Sequence, residues 1–516
     1  MSENSNVIRV PGSQRIYNRN KLLIVLLVPL MMSLMQVSSI NTALTTIQHS
    51  LSASDSDIQW MISGYALAIG IVLVPSGRLG DIFGRSGAFV TGLAIFSIAS
   101  LLIGLSNDPL HLNLLRLAQG FGSGVLSPQT TGLIQQYFQG RDRARAFGYF
   151  GLVVSASVAA GPVLSGGLIQ ILGPEIGWRA SFILNFPIGI IGILLAFFWL
   201  PFGKERRTIG PRKDAVEAEY EAAEIAKGNR PVRRNPQTKI DLDPCGMVLL
   251  AVAVLAIMLP FMVKDRPWFY TIVLAGMALM AVWILWEKRY KERGGFPMVD
   301  LDLFKITTFR YGTAIVSIFF LGMTSIWAIF LIFLQNAMGA TPFELGLFSV
   351  PNSILSAVAS LWAGKYAVER GRSIQFWSVL MYLVGLLGII GMTFLAEQGM
   401  NYWWYVIPTL LMGIGSGAMG AANQTQAMLD VPASSGGTAG GVLQTGQRMS
   451  TAIGIALVTA VFFAARGPLQ PDGTGGQWHF GLIIAFMVIS AILFVDMLIC
   501  LVFWRKGIAE SQTSKS

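Results

Sequence analysis

The stretch Gly77-Arg-Leu-Gly-Asp-Ile-Phe-Gly-Arg85 lies between two long apolar runs and places three charged residues within nine positions. Its glycines at 77, 80 and 84 predict a tight backbone turn, because glycine adopts conformations that other residues avoid. Asp81 can accept hydrogen bonds from backbone N–H groups at a helix start, and the two arginines can pair with it or with lipid phosphate. Such a pattern is typical of a short loop between two membrane spans.

A second copy of this stretch follows 287 positions later, as Gly364-Lys-Tyr-Ala-Val-Glu-Arg-Gly-Arg372. Glycines and basic residues of the two copies align without a gap. Gly120-Phe-Gly-Ser-Gly124 likewise matches Gly413-Ile-Gly-Ser-Gly417. Because many membrane transporters are built from internal repeats, the two copies predict a duplicated membrane protein.

The composition indicates an integral membrane protein. Of the 516 residues, 53% are hydrophobic and 12% are charged, whereas soluble domains carry about 25% charged residues. The net charge of +10 does not indicate nucleic-acid binding, because no basic domain free of apolar runs is present to carry it. Cys245 and Cys500 imply no disulfide framework. The first apolar run is longer than a signal-peptide core and lacks its cleavage pattern, so we interpret it as the first span.

Apolar runs of about 20 residues, the length that crosses a bilayer, occur repeatedly along the chain. The fourteen predicted spans are 22–45, 58–76, 87–105, 110–138, 147–172, 181–201, 245–263, 268–286, 311–335, 345–364, 374–395, 404–428, 438–464 and 479–504. Basic residues cluster in the connections predicted inside. Four connections predicted outside have no Lys or Arg, namely 45–57, 106–109, 336–344 and 396–403. This positive-inside pattern predicts that both termini are cytoplasmic.

The repeat and the spans divide the chain into seven predicted segments. They are a cytoplasmic tail (1–21), an N-terminal six-helix bundle (22–201), a cytoplasmic linker (202–244), two inserted membrane helices (245–286), a cytoplasmic connection (287–310), a C-terminal six-helix bundle (311–504) and a second cytoplasmic tail (505–516). The linker mixes basic and acidic clusters, which fits either a solvated linker with a short surface helix or a regulatory, lipid-binding arm.

Four motifs in this topology resemble those of the major facilitator superfamily. They are the span-one motif Met35–Leu44, the loop Gly77–Arg85, the arginine motif Leu115–Gly122 of span four and the antiporter motif Gly148–Gly167 of span five. The chain most closely resembles the fourteen-span drug:proton antiporter branch of that family. The resemblance implies an all-α membrane fold of two six-helix bundles plus two inserted helices.

Gln36 departs from the branch at the position where its span-one motif usually has an acidic residue, a favoured proton or cation site. Glutamine cannot titrate, so a proton site in span one does not carry over. Asp496 is the only acid well inside a predicted span. We expect Asp496 either to bind a proton or to form a local hydrogen bond near the inner interface.

Arg116 lies inside span four, where an arginine costs about 2.5–3.5 kcal/mol on insertion scales, so we expect it to face the interior. It shares one helix face with Gln119 at a spacing of three residues. Two interpretations remain open for Arg116. One is a structural arginine tied to span-one carbonyls, and the other is a role in coupling or substrate binding.

Further polar residues in the spans outline a predicted central cavity. They are Gln36, Asn41, Gln335, Asn423, Gln426 and Arg448. The alternative for each amide is an interhelical hydrogen bond, worth about 0.6 kcal/mol. Arg448 lies near the middle of span thirteen, where a structural role at the interface of the halves is equally consistent with the pattern.

A gate is predicted at the glycine-rich loop, with Gly77, Asp81, Gly84 and Arg85 as its residues. We hypothesise that Asp81 pairs with cytoplasmic arginines and closes the inner face when the cavity opens outward. Gly161 and Pro162 give span five a small-residue face with a kink. This face fits either a bendable contact between the halves or tight static packing.

The sequence therefore predicts a secondary transporter of the plasma membrane that exports small amphipathic or cationic compounds by alternating access, driven by an ion gradient. The alternatives are a lipid or metabolite exporter, a facilitator without proton coupling because of Gln36, and a non-transporting membrane receptor. The expected partners are a small-molecule substrate, protons and membrane lipids, and we expect a monomer. No nucleotide loop, hydrolase triad or metal-ligand spacing occurs in the sequence, so we expect no cofactor, no metal and no enzymatic activity.

Overall fold

The computed structural model describes residues 7–9, 16–202, 241–262, 268–396, 399–467 and 477–513. Within these ranges the protein is nearly all helical, as the sequence predicts. Most of the predicted linker, 203–240, lies outside the described residues. The side chain of Asn41, a predicted cavity residue in the first helix, also lies outside them.

Fourteen α-helices occur in the described parts of the chain. They are α1 (Arg19–Leu51), α2 (Asp55–Phe83), α3 (Arg85–Gly104), α4 (Pro109–Tyr137), α5 (Gly140–Leu172), α6 (Pro174–Ile183), α7 (Asn185–Trp199), α8 (Pro244–Met262), α9 (Phe269–Glu292), α10 (Thr307–Asn336), α11 (Pro342–Ala396), α12 (Val406–Ala427), α13 (Gly436–Arg466) and α14 (Trp478–Thr513). Short 3-10 helices at Leu301–Lys305, Tyr402–Tyr405 and Ala433–Ser435 precede α10, α12 and α13. The predicted N-terminal tail contains two antiparallel strands, β1 (Val7–Arg9) and β2 (Ile16–Asn18).

Eleven helical segments of the described chain are long and apolar enough to cross a membrane. α6 and α7 together form one of them, Pro174–Trp199, and α8 contributes only a shorter apolar stretch, Pro244–Pro260. α4 is not among the eleven segments, because its 29 residues are rich in glycine, serine and glutamine and are therefore less apolar. α11 counts once, although two spans are predicted within it. The exact number of fourteen spans and the cytoplasmic location of both termini stay predictions.

α11 contains both predicted spans 345–364 and 374–395. A straight helix would separate Asn352 from Tyr382 by about 45 Å, at 1.5 Å per residue. Both nevertheless lie against the same part of α12, since a Cβ built on Gly413 would touch Asn352 and one built on Gly415 would touch Tyr382. α11 therefore folds back on itself between its two halves, and the connection predicted near 364–372 has helical backbone.

Local capping explains where two of the helices begin. Ser54 and Asp57 form a capping box at the start of α2, with side chain and backbone bonded in both directions. Asp108 accepts hydrogen bonds from the N–H groups of Leu110 and His111 at 2.7 and 3.1 Å, and Pro109 supplies a first helical residue that needs no donor.

α2 continues through most of the stretch that the sequence analysis interprets as a turn, and it ends at Phe83. Within that stretch only Gly84 has a positive φ, 110°, and it separates α2 from α3. The turn predicted at Gly77 and Gly80 is wrong, because both lie inside the helix. Their missing side chains allow close approach instead.

The helices form two halves, α1–α7 and α10–α14. α2 and α4 of the first half pack against α13 of the second, and α5 packs against α11 and α12. α8 and α9 pair with each other, and α8 packs against α2 and α13. The inserted pair therefore lies beside the seam between the halves, and α8 contacts both halves.

We call the end of the bundle that carries Arg85, Arg141, Arg143, Lys365 and Arg372 the basic end. At the basic end one hydrophobic core is shared by both halves, since Phe138 and Leu133 belong to the same cluster as Val431 and Leu443. At the opposite end the first half has a separate core, which includes Trp178. The second half has its own cluster around Phe330.

The inserted helices are fixed at the basic end by the carboxylates of Asp243, which is buried, and Asp241, which is partly exposed. Asp243 accepts from the Trp286 indole N–H at 2.9 Å, and Asp241 accepts from the Tyr290 hydroxyl at 2.7 Å. Arg78 of α2 lies within electrostatic range of both carboxylates and of Glu287. The first basic residue of the stretch Gly77–Arg85 therefore faces the inserted helices.

Candidate functional site

Asp81 accepts hydrogen bonds from both halves of the molecule. In its own half, Arg85 Nε and Nη2 donate to Asp81 Oδ1 at 2.8 and 2.6 Å. From the other half, the backbone N–H groups of Gly437 and Thr438 donate at 3.0 and 2.8 Å, and the Thr438 hydroxyl donates at 2.8 Å. These groups belong to the first turn of α13, so Asp81 caps that helix and meets the positive end of its dipole.

Arg85 extends this network across the same interface. Its Nη1 donates to the Gly132 carbonyl and to Gln136 Oε1, both at 2.8 Å, and its Nη2 donates to the Ala433 carbonyl of the other half at 2.6 Å. The side chains of Arg85 and Asp81 are only 4% and 3% exposed. Removing either would leave the other charge buried without its partner. We call Asp81, Arg85 and the first turn of α13 (Gly436–Thr438) the gate cluster.

Glycines allow the two halves to meet at the gate cluster. A Cβ on Gly77 would lie 2.4 Å from the Gly437 carbonyl oxygen, and a Cβ on Gly437 would lie 2.8 Å from the Gly77 carbonyl oxygen. Farther round the interface, a Cβ on Gly364 would lie 2.6 Å from the Cα of Gly148. Since backbone atoms cannot rotate away, these positions require glycine for the observed contact.

Further hydrogen bonds join the halves at the basic end. Gln135 Nε2 donates to the carbonyls of Met428 and Val431 at 2.8 and 2.9 Å. The Ser360 hydroxyl donates to the Gly148 carbonyl at 3.0 Å. Together with the gate cluster, these bonds close the basic end on both sides of the seam.

A second layer of contacts lies farther into the bundle. The Ser127 hydroxyl donates to Gln444 Oε1 at 2.5 Å, and Gln444 Nε2 donates to the Thr131 hydroxyl at 3.3 Å. Across the other side of the interface, the hydroxyls of Ser155 and Ser356 lie 2.8 Å apart. This polar layer marks how far the closure extends toward the opposite end.

Arg116 lies beyond this layer, with 1% of its surface exposed. Its Nε donates to the Met61 carbonyl at 3.1 Å, and its Nη1 donates to Gln119 Oε1 at 2.6 Å. Its guanidinium stacks 4.2 Å from the centroid of the Tyr65 ring. The predicted pairing of Arg116 and Gln119 on one face is therefore present, and the carbonyl that Arg116 contacts belongs to span two.

Arg448 follows Gln444 by one helical turn on α13, so both side chains face α4. Its side chain retains partial exposure near the middle of the helix. It lies within electrostatic range of Tyr65, and within the described chain it forms no hydrogen bond or ion pair. Arg116 and Arg448 therefore converge on one tyrosine from the two halves.

Gln36 is 2% exposed and lies against α7. Its Oε1 accepts from Asn185 Nδ2 at 2.7 Å, whereas its Nε2 has no partner among the described atoms. The drug:proton antiporter branch usually has an acid at the position of Gln36. In this chain that position is buried inside the first half. An amide at Asn185 already points toward it.

Three other predicted cavity residues are placed elsewhere. Asn423 accepts from Gln375 Nε2 at 2.8 Å, and Gln426 donates to the Ala367 carbonyl at 2.6 Å, so both join α12 to the folded-back part of α11. Gln335 is exposed in the last turn of α10. The structure does not bring these three side chains together with Arg116 and Arg448.

Gly161 contacts α1 of its own half. A Cβ on Gly161 would lie 2.0 Å from Ser38 Oγ, and the Gly161 carbonyl accepts from Ser39 Oγ at 2.9 Å. Pro162 follows it in the same helix. Gly148 belongs to the same small-residue face of span five, and the close contact between halves occurs there, nearer the basic end.

Asp496 is fully buried in α14, and neither of its carboxyl oxygens has a hydrogen-bond partner among the described residues. It lies far along a helix that packs against α10, α11 and α13. Its burial is compatible with a proton site, and its placement is remote from the gate cluster.

Sequence reasoning missed three functional positions: Tyr65, Asn185 and the start of α13. The first two carry no local signal, because a lone tyrosine or asparagine in an apolar run has no distinguishing neighbours. The third had one, since Gly436-Gly-Thr-Ala-Gly-Gly441 is a run of small residues that allows close approach to a helix start.

Comparisons with known proteins agree with this geometry. The family model described as Major Facilitator Superfamily matches residues 26–455. The chain is 30% identical over 443 residues to the "Probable actinorhodin transporter" of Streptomyces coelicolor, covering 84% of this chain and 71% of that protein. It is 26% identical to the "Tetracenomycin C resistance and export protein" of Streptomyces glaucescens, covering 91% and 81%. A proton:xylose symporter structure has a TM-score of 0.65 at 10% identity, covering 94% and 95%.

Proposed function

This chain belongs to the major facilitator superfamily, and we propose that it exports small amphipathic compounds by alternating access. It is a multi-pass transporter of the cell membrane and not an enzyme. The observation that carries the proposal is the one-sided closure of the molecule. The gate cluster and its neighbouring bonds join the two halves at the basic end, and the core around Trp178 at the opposite end contains residues of the first half alone, which supports an opening there. The names of the similar proteins, a transporter and an export protein, support export as the direction of transport.

Transport by purified protein tests this function. We expect reconstituted vesicles to accumulate a panel of amphipathic dyes when the basic end faces outward, because export from the cytoplasm then becomes uptake. Empty vesicles and the same protein denatured before reconstitution are the controls. Saturable ligand binding without flux would favour the receptor alternative and contradict the proposal.

The charge asymmetry predicts that the basic end faces the cytoplasm. Single cysteines test this orientation when they are introduced into protein whose Cys245 and Cys500 are replaced by serine. We expect cysteines at Ser54 and Met338, at the opposite end, to react with a membrane-impermeant maleimide added outside intact cells. Cysteines at Arg143 and Arg370, at the basic end, should react only after permeabilisation. Labelling of the Arg370 position from outside would reverse the proposed orientation.

We propose that proton coupling is weak, because Gln36 cannot titrate. Replacing Gln36 with aspartate places a carboxyl beside the Asn185 amide, and we expect the dependence of flux on an imposed pH gradient to rise from small in the parent to several-fold in the variant. Gln36→Asn is the neutral control of the same shape. A strong dependence in the parent that survives Asp496→Asn would contradict weak coupling and place the proton site elsewhere.

A further inference from the structure

The helices around the seam carry no acid in their membrane interior. The sequence has no Asp or Glu at 19–54, 58–80, 109–141, 143–174, 303–343 or 431–471. Those ranges cover the interior of α1, α2, α4, α5, α10 and α13. Arg116 and Arg448 lie in the same region, so it carries two positive charges that no neighbouring carboxylate offsets. A cation in a membrane interior is costly unless a partner or water-filled space accommodates it.

Arg116 is accommodated by dipoles and a ring. It has the Met61 carbonyl, the Gln119 amide oxygen and the face of Tyr65 as partners. These groups orient the guanidinium without neutralising its charge. Because Arg116 is 1% and Tyr65 2% exposed, Arg116 contributes its positive potential from behind Tyr65 and makes no direct contact with a ligand.

Among the residues that the structure describes, Arg448 has no such hydrogen-bond partners. Gly440 packs on Thr131 and Gln444 bonds Thr131 and Ser127, so the antiparallel register of α13 and α4 continues toward Ser123 at the level of Arg448. The Ser123 hydroxyl is 2.5 Å from the Ser33 hydroxyl, which lies 3.5 Å from that of Tyr65. The partial exposure of Arg448 at this depth means that it faces open space between the halves and does not pack in a core.

We propose that Arg448, supported by the positive potential of Arg116 behind Tyr65, forms a binding site for the anionic group of an amphipathic substrate. The site rests on the export function proposed above and narrows its substrate class to organic anions. A carboxylate or phenolate beside the Arg448 guanidinium forms charge-assisted hydrogen bonds and offsets its charge.

The placement of the two arginines also relates binding to conformation. Arg448 moves with the second half and Arg116 with the first, so an anion bound to Arg448 is attracted by Arg116 most strongly in the state in which the halves approach at the level of the site. A cationic substrate would instead meet two like charges, which disfavours it on entry. The site therefore selects by attraction and by repulsion.

Two dyes with one scaffold and opposite charge test the site. Fluorescein is anionic at pH 8 and rhodamine 123 is cationic. We expect the parent protein in proteoliposomes to transport fluorescein faster than rhodamine 123. Arg448→Gln should raise the KM for fluorescein at least tenfold, and Arg448→Lys should recover part of that loss. Arg466→Gln, in the last turn of the same helix, is the matched control and should leave the KM unchanged.

The outcomes separate the two proposals. Flux of rhodamine 123 alone, or fluorescein flux that Arg448→Gln leaves unchanged, would overturn the anion site while leaving the export function intact. Flux of neither dye, nor of any amphipathic compound in the panel above, would overturn both. Thermal melting and size-exclusion profiles of each variant show whether a lost signal reflects misfolding, and in that case Arg448→Lys decides the question by its KM.

Discussion

Replacing Asp81 with asparagine is expected to lower the transport rate at least about tenfold while leaving membrane insertion intact. The carboxylate accepts from two N–H groups of α13, from Thr438 and from Arg85, and hydrogen bonds to charged groups contribute about 1.5–3 kcal/mol each. An amide keeps one acceptor oxygen and turns an N–H₂ group toward the helix start. A loss of 1.4 kcal/mol already shifts an equilibrium about tenfold, so the state closed at the basic end should lose population.

Accessibility measurements distinguish this effect from general damage. In Asp81→Asn, a cysteine near the gate cluster should become more reactive from the basic end, because that end opens more often. Glu369→Gln is the matched control, since Glu369 also forms an ion pair across the halves with Arg141, but the two side chains are 51% and 73% exposed. Exposed pairs contribute little. Equal transport by Asp81→Asn and the parent protein would refute the gate.

Gly77→Ala is expected to have an effect of similar or larger size from a single methyl group. Its Cβ would lie 2.4 Å from the Gly437 carbonyl oxygen and 2.7 Å from the Gly437 carbonyl carbon. Both atoms are backbone, so α2 and α13 must separate, and Asp81 then loses its bonds to α13. We expect transport to fall below about a tenth of the parent rate, since a loss of more than 1.4 kcal/mol corresponds to more than tenfold.

Gly87→Ala, in the neighbouring helix α3, is expected to leave the transport rate unchanged. Gly87 is exposed in α3, and a Cβ there would meet nothing within 4 Å. Alanine favours helix over glycine by about 0.5–1 kcal/mol, so this variant should transport normally and melt at the same or a higher temperature. Normal transport by Gly77→Ala, with a cysteine introduced near the gate cluster no more reactive than in the parent protein, would show that the halves do not need to meet at this point.

The sequence by itself determined the class of fold and where much of the closure lies. Long apolar runs specify helices that cross a membrane, because every backbone polar group must be bonded inside the helix. The repeated glycine-rich stretch indicated duplication, and the charges of Asp81 and Arg85 marked a point where the two halves are joined. The spacing of Arg116 and Gln119 placed them on one face. These features follow from composition and local periodicity, so they can be read along the chain.

Only the tertiary structure decided which groups meet. Asp81 bonds the start of α13, more than 350 residues away, and no local pattern specifies that partner. The glycine at 77 serves a contact between helices, although its sequence context suggests a turn. Gln36 meets Asn185, whereas Asn423 and Gln426 join α12 to α11. Contacts of this kind depend on how whole helices pack, and packing is set by side chains distant in sequence.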